Sequence, residues 1–318
     1  MVNVDYLRIS VTNRCNLRCI YCHSSDGRDF IEHKGILRFE EIHRIVRLFV
    51  ECGIRKVRLT GGEPLVRKNI VNFVRMLAGI EGIEDLSLTT NGVLLEPIAA
   101  QLKEAGLHRV NISVDSTRRE IYKQITGFDL IGKVRRSIFK AIEVGLKPVK
   151  INMVVLRGIN EQDVAALGHL SMEMPIVVRF IEYCPTNKST EPGRFFVPNS
   201  QVRRSIESRF GPLAAAVVAN SNGPAVYFKI KDSAGYVGFI SGRTSIFCQS
   251  CNRLRLTSDG KVKPCLCSAH HYDIKRLIRT GASDKQILDL FRKILAQKNN
   301  FTKLNSFVEE FNMQNIGG

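Results

Sequence analysis

The first 184 residues alternate between short segments of period two and longer segments of helical period. Strand-like stretches are DYLRISVT (5–12), IRKVRLT (54–60), IEDLSLTT (83–90), HRVNISVD (108–115), KPVKINMVV (147–155) and PIVVRFIEY (175–183). Amphipathic helical patterns lie between them at 38–52 and 67–80, and near 95–105, 131–144 and 161–172. Six βα units in series predict a parallel sheet with crossover helices, either an open doubly wound sheet or a partial barrel.

The polarity of the strands separates these two. In the first, Leu7, Ile9 and Val11 oppose Arg8, Ser10 and Thr12, and in the second Val57 and Leu59 oppose Lys56, Arg58 and Thr60. The third sets Leu86 and Leu88 against Asp85, Ser87 and Thr89, and the fourth Ile112 and Val114 against Asn111, Ser113 and Asp115. Lys150 and Asn152 add polar positions to the fifth. A parallel sheet covered by helices on both faces reads as near-continuous apolar runs. A consistently polar strand face instead predicts an α/β fold, a partial (β/α)6 TIM-like barrel with helices outside and a wet lumen. Six units fall short of a full barrel, so something must cover the gap.

Residues 185–205 are polar and rich in Pro and Ser, and divide the barrel (1–184) from a C-terminal extension (185–318) expected to pack on it. The extension predicts a helix at 199–210, strands at 225–230 and 235–241, and helices near 272–280 and 284–297. No run of eighteen apolar residues occurs, so no membrane-spanning helix is expected. The start MVNVDYLRISV reads as a strand, not a signal segment, and the cytoplasm is the expected location. The net charge of +17 implies a polyanionic partner: nucleic acid, phospholipid or nucleotide. With no tryptophan, and with charge placed on strand faces, the pattern disfavours a nucleic-acid surface of interleaved basic and aromatic residues.

Nine cysteines in a cytosolic chain of this length point to metal or catalysis before disulfides. Six of them form two triplets. Cys15, Cys19 and Cys22 follow the first strand with C-x3-C-x2-C spacing. Three thiolates on a [4Fe–4S] cluster leave one iron without a protein ligand. A zinc site recruiting Cys52 or His23 is the alternative, but x3-then-x2 spacing does not build one easily. Cys248, Cys251 and Cys265 form C-x2-C-x13-C around Arg253 and Arg255. On spacing alone, a zinc site completed by Cys267, His270 or His271 stays open there. Cys52 and Cys267 otherwise read as ordinary thiols.

The first triplet, with Tyr21 before its last cysteine, resembles the radical S-adenosylmethionine superfamily. The resemblance implies that the open iron chelates the amino and carboxylate groups of S-adenosylmethionine. One electron then splits the sulfonium and releases a 5′-deoxyadenosyl radical. The GGEP at 61–64 matches that family's methionine-binding turn, where glycine lets backbone come close. Expected cofactor contacts are Tyr21, Gly62, Glu63 (pairing with the ammonium), Ser113 and Cys184, the last at a position where the family often carries methionine.

The second triplet, the TGGEPLVR turn, TTNG at 89–92 and the terminal NIGG extend the resemblance to the GTP 3′,8-cyclases, lyases that open molybdenum-cofactor (molybdopterin) biosynthesis. It runs from Asp5 to Gly318. It implies two [4Fe–4S] clusters, the second holding the guanine base, and GTP contacts at Arg8, Arg58, Thr89, Lys150, Arg253, Leu254 and Arg255. It also implies that Gly317-Gly318 reaches into the active site. An electron donor and a downstream cyclic pyranopterin monophosphate synthase are the implied partners. Two rivals remain at this point. One is another radical enzyme with an auxiliary cluster, such as a peptide-modifying one, though those carry more C-terminal cysteines. The other is a zinc-bearing nucleic-acid binder.

Overall fold

A computed structural model describes residues 3–22, 31–184, 193–218, 223–245, 250–268, 270–300 and 316–317. Strands β1 (Tyr6–Ser10), β2 (Lys56–Thr60), β3 (Asp85–Thr90), β4 (Arg109–Ser113), β5 (Lys150–Val155) and β6 (Val177–Glu182) each fall inside a predicted stretch. They pair in chain order, all parallel. Helices α1 (Phe39–Glu51), α2 (Ile70–Ala78), α3 (Ala99–Glu104), α4 (Arg119–Thr126), α5 (Ile131–Glu143) and α6 (Val164–Glu173) supply the crossovers.

The apolar strand face packs outward against these helices. Leu7, Ile9, Val57, Leu59, Leu86, Leu88, Ile112 and Ile151 are all fully buried there. Each such side chain stabilises the fold by about 1.5–3 kcal/mol. Helix α1 meets them with Ile42, Ile45, Val46 and Phe49. It starts where Glu41 Oε2 accepts the Arg38 N–H at 2.6 Å, satisfying a donor that the first turn leaves orphaned.

Beyond residue 184 come α7 (Asn199–Phe210), β7 (Ala214–Ala216), β8 (Val226–Lys229), β9 (Tyr236–Ile240), β10 (Arg253–Leu256), β11 (Lys261–Lys263), β12 (Tyr272–Asp273), α8 (Ile274–Arg279) and α9 (Asp284–Gln297). These strands do not simply pack on the barrel; they join its sheet. β9 pairs parallel with β6, and β10 pairs parallel with β1. The result is one open sheet of twelve strands, ordered β12-β11-β10-β1-β2-β3-β4-β5-β6-β9-β8-β7. Its central eight strands are parallel, six from the barrel and one added at each edge. Helix α9 docks on α1, with the Phe49 and Phe291 rings stacked at 3.6 Å and Arg44 and Arg47 on Asp284.

Candidate active site

The strand register turns the alternating polar residues into rows across the lumen. Arg255, Arg8, Arg58, Ser87 and Arg109 lie side by side on five successive strands. A second row holds Thr89, Asn111 and Lys150, and a third Ser113, Asn152 and Arg179. They surround a cavity of about 510 Å³. Among the described residues nine basic and four acidic side chains line it, so the cavity is built for an anion.

Burial makes these cations costly. It pulls the Arg58 and Arg255 guanidiniums down to about 10 and Lys150 to about 6, with neighbouring arginines adding repulsion for Arg255 and Lys150. Burial with the Arg255 and Arg58 charges drives Arg8 well below its ordinary value. Asp85 relieves one member, accepting from Arg109 Nε at 2.8 Å. A polyphosphate would relieve the others, since an arginine fork can bind two oxygens at once.

The first cysteine set stands at the carboxyl ends of the strands, where Cys15, Cys19 and Cys22 all line the cavity. Cys15 Sγ accepts from Leu17 N–H at 3.4 Å. Burial pushes the Cys15 thiol up to about 11 and Cys22 to about 12. Without a metal these sulfurs therefore stay protonated. The GGEP turn locks onto the segment leading to them: Gly62 N–H donates to Thr12 O and Glu63 N–H to Arg14 O, both at 2.8 Å. A Cβ at Gly62 would strike the Arg14 carbonyl, so the turn needs glycine.

Glu63 departs from the expected ammonium contact. It is fully buried, and its carboxylate accepts from Leu65 N–H (3.0 Å), Thr90 Oγ1 (2.7 Å) and Asn91 N–H (2.7 Å). That ties the GGEP turn to the end of β3, while Gly61 and Gly62 are the residues that reach the cavity. Tyr21, Ser113 and Cys184 line the cavity. Tyr21 donates its hydroxyl proton to Asp115 Oδ2 at 2.6 Å, and Asp115 Oδ1 accepts from Val154 N–H at 2.9 Å.

The second set stands at the opposite end. Parallel pairing of Tyr6 with Arg253 puts Cys251, two residues earlier, at the amino ends of the strands. Antiparallel β11 returns Cys265 to the same place. Cys251, Cys265, Cys267 and Lys298 line the cavity there, and Lys298 Nζ lies 3.8 Å from Cys251 Sγ. Burial raises Cys251, but Arg253 and Lys298 outweigh it and leave the thiol below its usual value. Cys265, hydrogen-bonded by Cys267, falls to about 5. Cys248, Gly318 and His23 lie outside the described residues. Gly317 enters the lumen, accepting from Arg255 Nη1 at 2.7 Å.

Arg8, Arg58, Thr89, Lys150, Arg253 and Arg255 all line the cavity. Leu254 does not; its side chain is fully buried in the apolar core, so only its backbone could meet a ligand. The sequence reading missed Arg109, Arg179, Asn91 and Lys298. Arg109 was findable from the same alternation, two residues before Asn111.

Among the described residues no three His, Cys, Asp or Glu side chains converge closely enough to hold one metal ion. The donor chemistry at the first triplet fits an iron–sulfur cluster: Cys15, Cys19 and Cys22 all face the cavity, and three thiolates leave one iron without a protein ligand. The sequence model of the Radical SAM superfamily matches residues 9–170, and that of Molybdenum Cofactor Synthesis C matches 176–304. A GTP 3′,8-cyclase of Pelotomaculum thermopropionicum is 44% identical over 318 residues, covering 99% of this chain and 98% of the relative. One from Petrotoga mobilis is 43% identical over 323 residues, with the same coverage. The crystal structure of Streptococcus suis SuiB bound to S-adenosylmethionine superposes with a TM-score of 0.66 at 14% identity, covering 91% of this chain. The chain spans 65% of that protein's length, and the likeness is one of fold. Matched by both family models in tandem and by relatives along nearly its whole length, the chain belongs to the GTP 3′,8-cyclase family of radical S-adenosylmethionine enzymes.

Proposed function

We propose that this enzyme joins C3′ of the GTP ribose to C8 of guanine, giving 3′,8-cyclo-7,8-dihydro-GTP for molybdenum-cofactor biosynthesis. One observation carries the reading: a single cationic lumen connects two cysteine sets at opposite ends of the strands. Five residues of β1 span roughly 17 Å at about 3.3 Å each. A nucleotide triphosphate can lie along that length with a cluster at either end.

In this reading Cys15, Cys19 and Cys22 hold one [4Fe–4S] cluster, and Cys248, Cys251 and Cys265 the other. When bound, the first cluster and S-adenosylmethionine supply a 5′-deoxyadenosyl radical, the second an open iron for the base. Backbone at Gly61–Gly62, with Ser113, Tyr21 and Cys184, would position the methionine cofactor. Arg8, Arg58, Thr89, Lys150 and Arg255 would bind and orient GTP, and Arg253 and the Leu254 backbone would flank the base. Holding the reacting atoms at one geometry is worth roughly 7–11 kcal/mol in well-oriented reactions. Gly317 on Arg255 helps to close the lumen to water.

Reduction needs an external electron donor, and the product would pass to a cyclic pyranopterin monophosphate synthase. A cytoplasmic setting fits this chemistry. Among the described residues no helix is long and apolar enough to cross a membrane.

The test is anaerobic turnover of GTP deuterated at C3′ with S-adenosylmethionine and a strong reductant. Deuterium in 5′-deoxyadenosine together with a cyclised nucleotide is expected. Unlabelled deoxyadenosine from fully loaded enzyme would leave the radical machinery standing and remove GTP as its substrate.

A further inference from the structure

Two buried polar atoms belong to the arginine row and its border. Arg255, Arg8 and Arg58 lead across the lumen from β10 through β1 to β2, and Arg109 on β4 is the last guanidinium of that row. Asp85 accepts from both Nε and Nη2 of Arg109, which fixes the guanidinium and leaves Nη1 over. Tyr6 opens β1, and the Arg58 guanidinium carbon lies over its ring, 5.4 Å from the centroid. Tyr6 and Arg109 both line the cavity, and they are only 5% and 4% exposed. Among the described residues neither Tyr6 Oη nor Arg109 Nη1 has a hydrogen-bond partner. Buried donors are almost always paired, so two orphans on one cavity mark a place for an acceptor. Burial would raise the Tyr6 hydroxyl, but the Arg58, Arg8 and Arg109 charges outweigh it and hold the group below its ordinary value. That surrounding, offset by Asp85, selects an anionic acceptor.

We propose that Tyr6 Oη and Arg109 Nη1 form the subsite for the terminal phosphate of the substrate, and so set its preference for a nucleoside triphosphate over the di- and monophosphate. The proposal rests on GTP as the occupant of the lumen. With the base beside β10, the phosphates cross Arg8 and Arg58, and the last of them meets the last arginine of the row. The terminal phosphate also carries three free oxygens and the largest charge, so it gains most from two further donors. Arg109, already tied to Asp85, keeps its fork in place without the ligand. Tyr6 brings a donor on a stiff ring, so little freedom is lost when the phosphate arrives.

The experiment is anaerobic calorimetric binding of GTP, GDP, GMP and inorganic tripolyphosphate to the reconstituted full-length enzyme without reductant. Tyr6→Phe removes one hydroxyl and keeps the ring. It should bind GTP roughly ten- to a hundredfold more weakly, the range for a hydrogen bond to a charged group. GDP and GMP should keep their affinities. Iron content and the thermal stability of the ligand-free protein should hold, because the hydroxyl that is lost had no partner in the fold. Arg109→Lys keeps a charge on Asp85 but loses Nη1, and should repeat the pattern. Equal weakening of all three nucleotides would overturn the proposal, since the hydroxyl would then meet the nucleoside or shape the lumen. Unchanged GTP affinity in Tyr6→Phe would overturn it too, as would a loss of stability matching the loss of affinity. If Tyr6→Phe weakens tripolyphosphate, but the unsubstituted enzyme binds GTP no better than tripolyphosphate, the phosphate subsite stands and the guanosine assignment falls.

Discussion

Gly317 offers its carbonyl oxygen to Arg255 at 2.7 Å, on the same lumen face where Arg255 pairs in register with Arg8. Its backbone sits at φ +78°, and a Cβ there would collide with Thr60 Oγ1. Gly317→Ala should therefore expel the tail from the lumen. Turnover should fall by tenfold or more, on the order of 1.4 kcal/mol or above in barrier. Thermal stability and iron content should hold, and a matching loss of either would make the tail structural.

Lys150 should give the ligand-free protein an unusual stability profile. Burial and the facing Arg179, Arg109 and Arg58, opposed by Asp85, bring its ammonium from 10.5 to about 6. Below about 6 both folded and unfolded chains hold the proton and the full cost of burying it stands. Between about 6 and 10.5 only the unfolded chain holds it, so stability rises with pH, by up to about 1.4 kcal/mol per unit. Denaturant titrations across this range should show the rise, and Lys150→Met should flatten it. GTP binding near pH 7.5 should draw a proton onto Lys150, read by calorimetry in buffers of different ionisation enthalpy.

Glu63 should matter before any cofactor is present. Its carboxylate serves three donors, and a glutamine there would turn an amine toward at least one of them. Glu63→Gln should lower the stability of the cofactor-free chain by about 2–4 kcal/mol. Burial raises this carboxyl to about 7, so its own contribution is present below pH 4.5 and lost as pH rises through 7. Unchanged stability with weakened S-adenosylmethionine binding would return Glu63 to the ammonium.

Asp115 should act on the cofactor through Tyr21. Removing it strands the Tyr21 hydroxyl and the Val154 N–H, a loss of about 1–3 kcal/mol. Asp115→Ala and Tyr21→Phe should then weaken S-adenosylmethionine binding non-additively in a double-mutant cycle. Additive effects would separate the two residues.

Metal analysis of the reconstituted protein should find about eight irons per chain and no stoichiometric zinc. Changing Cys15, Cys19 and Cys22 together to Ala should halve the iron. Stoichiometric zinc at the second set would reopen the reading that its spacing alone allows.

The barrel was legible because alternation states both the strand and its facing. Leu7 and Arg8 declare the core and the lumen within one dipeptide, and register places Arg58 and Arg255 beside Arg8 without further information. What stayed hidden depends on distance in the chain or on brevity. Tyr21 and Asp115 are 94 residues apart, and neither residue type announces the pairing. Strand β10 holds four residues between two cysteines, too short for a period to register, and its partner lies at the other end of the sequence. Helix α4 has eight residues, also too few for a period to register. Arg179 sits in a largely apolar strand, where a lone charge resembles an exception and not a row.

The pairing of β10 with β1 also dictates an order of assembly. During synthesis Tyr6 emerges early, but its partner Arg253 emerges only in the last quarter of the chain. Until then both margins of the six-stranded sheet, at β1 and at β6, present unpaired backbone that invites pairing with other chains. Contacts this distant in sequence also close slowly. The nascent chain should therefore depend on holding factors, or on low local concentration, until β9 has covered the β6 margin and β10 the β1 margin.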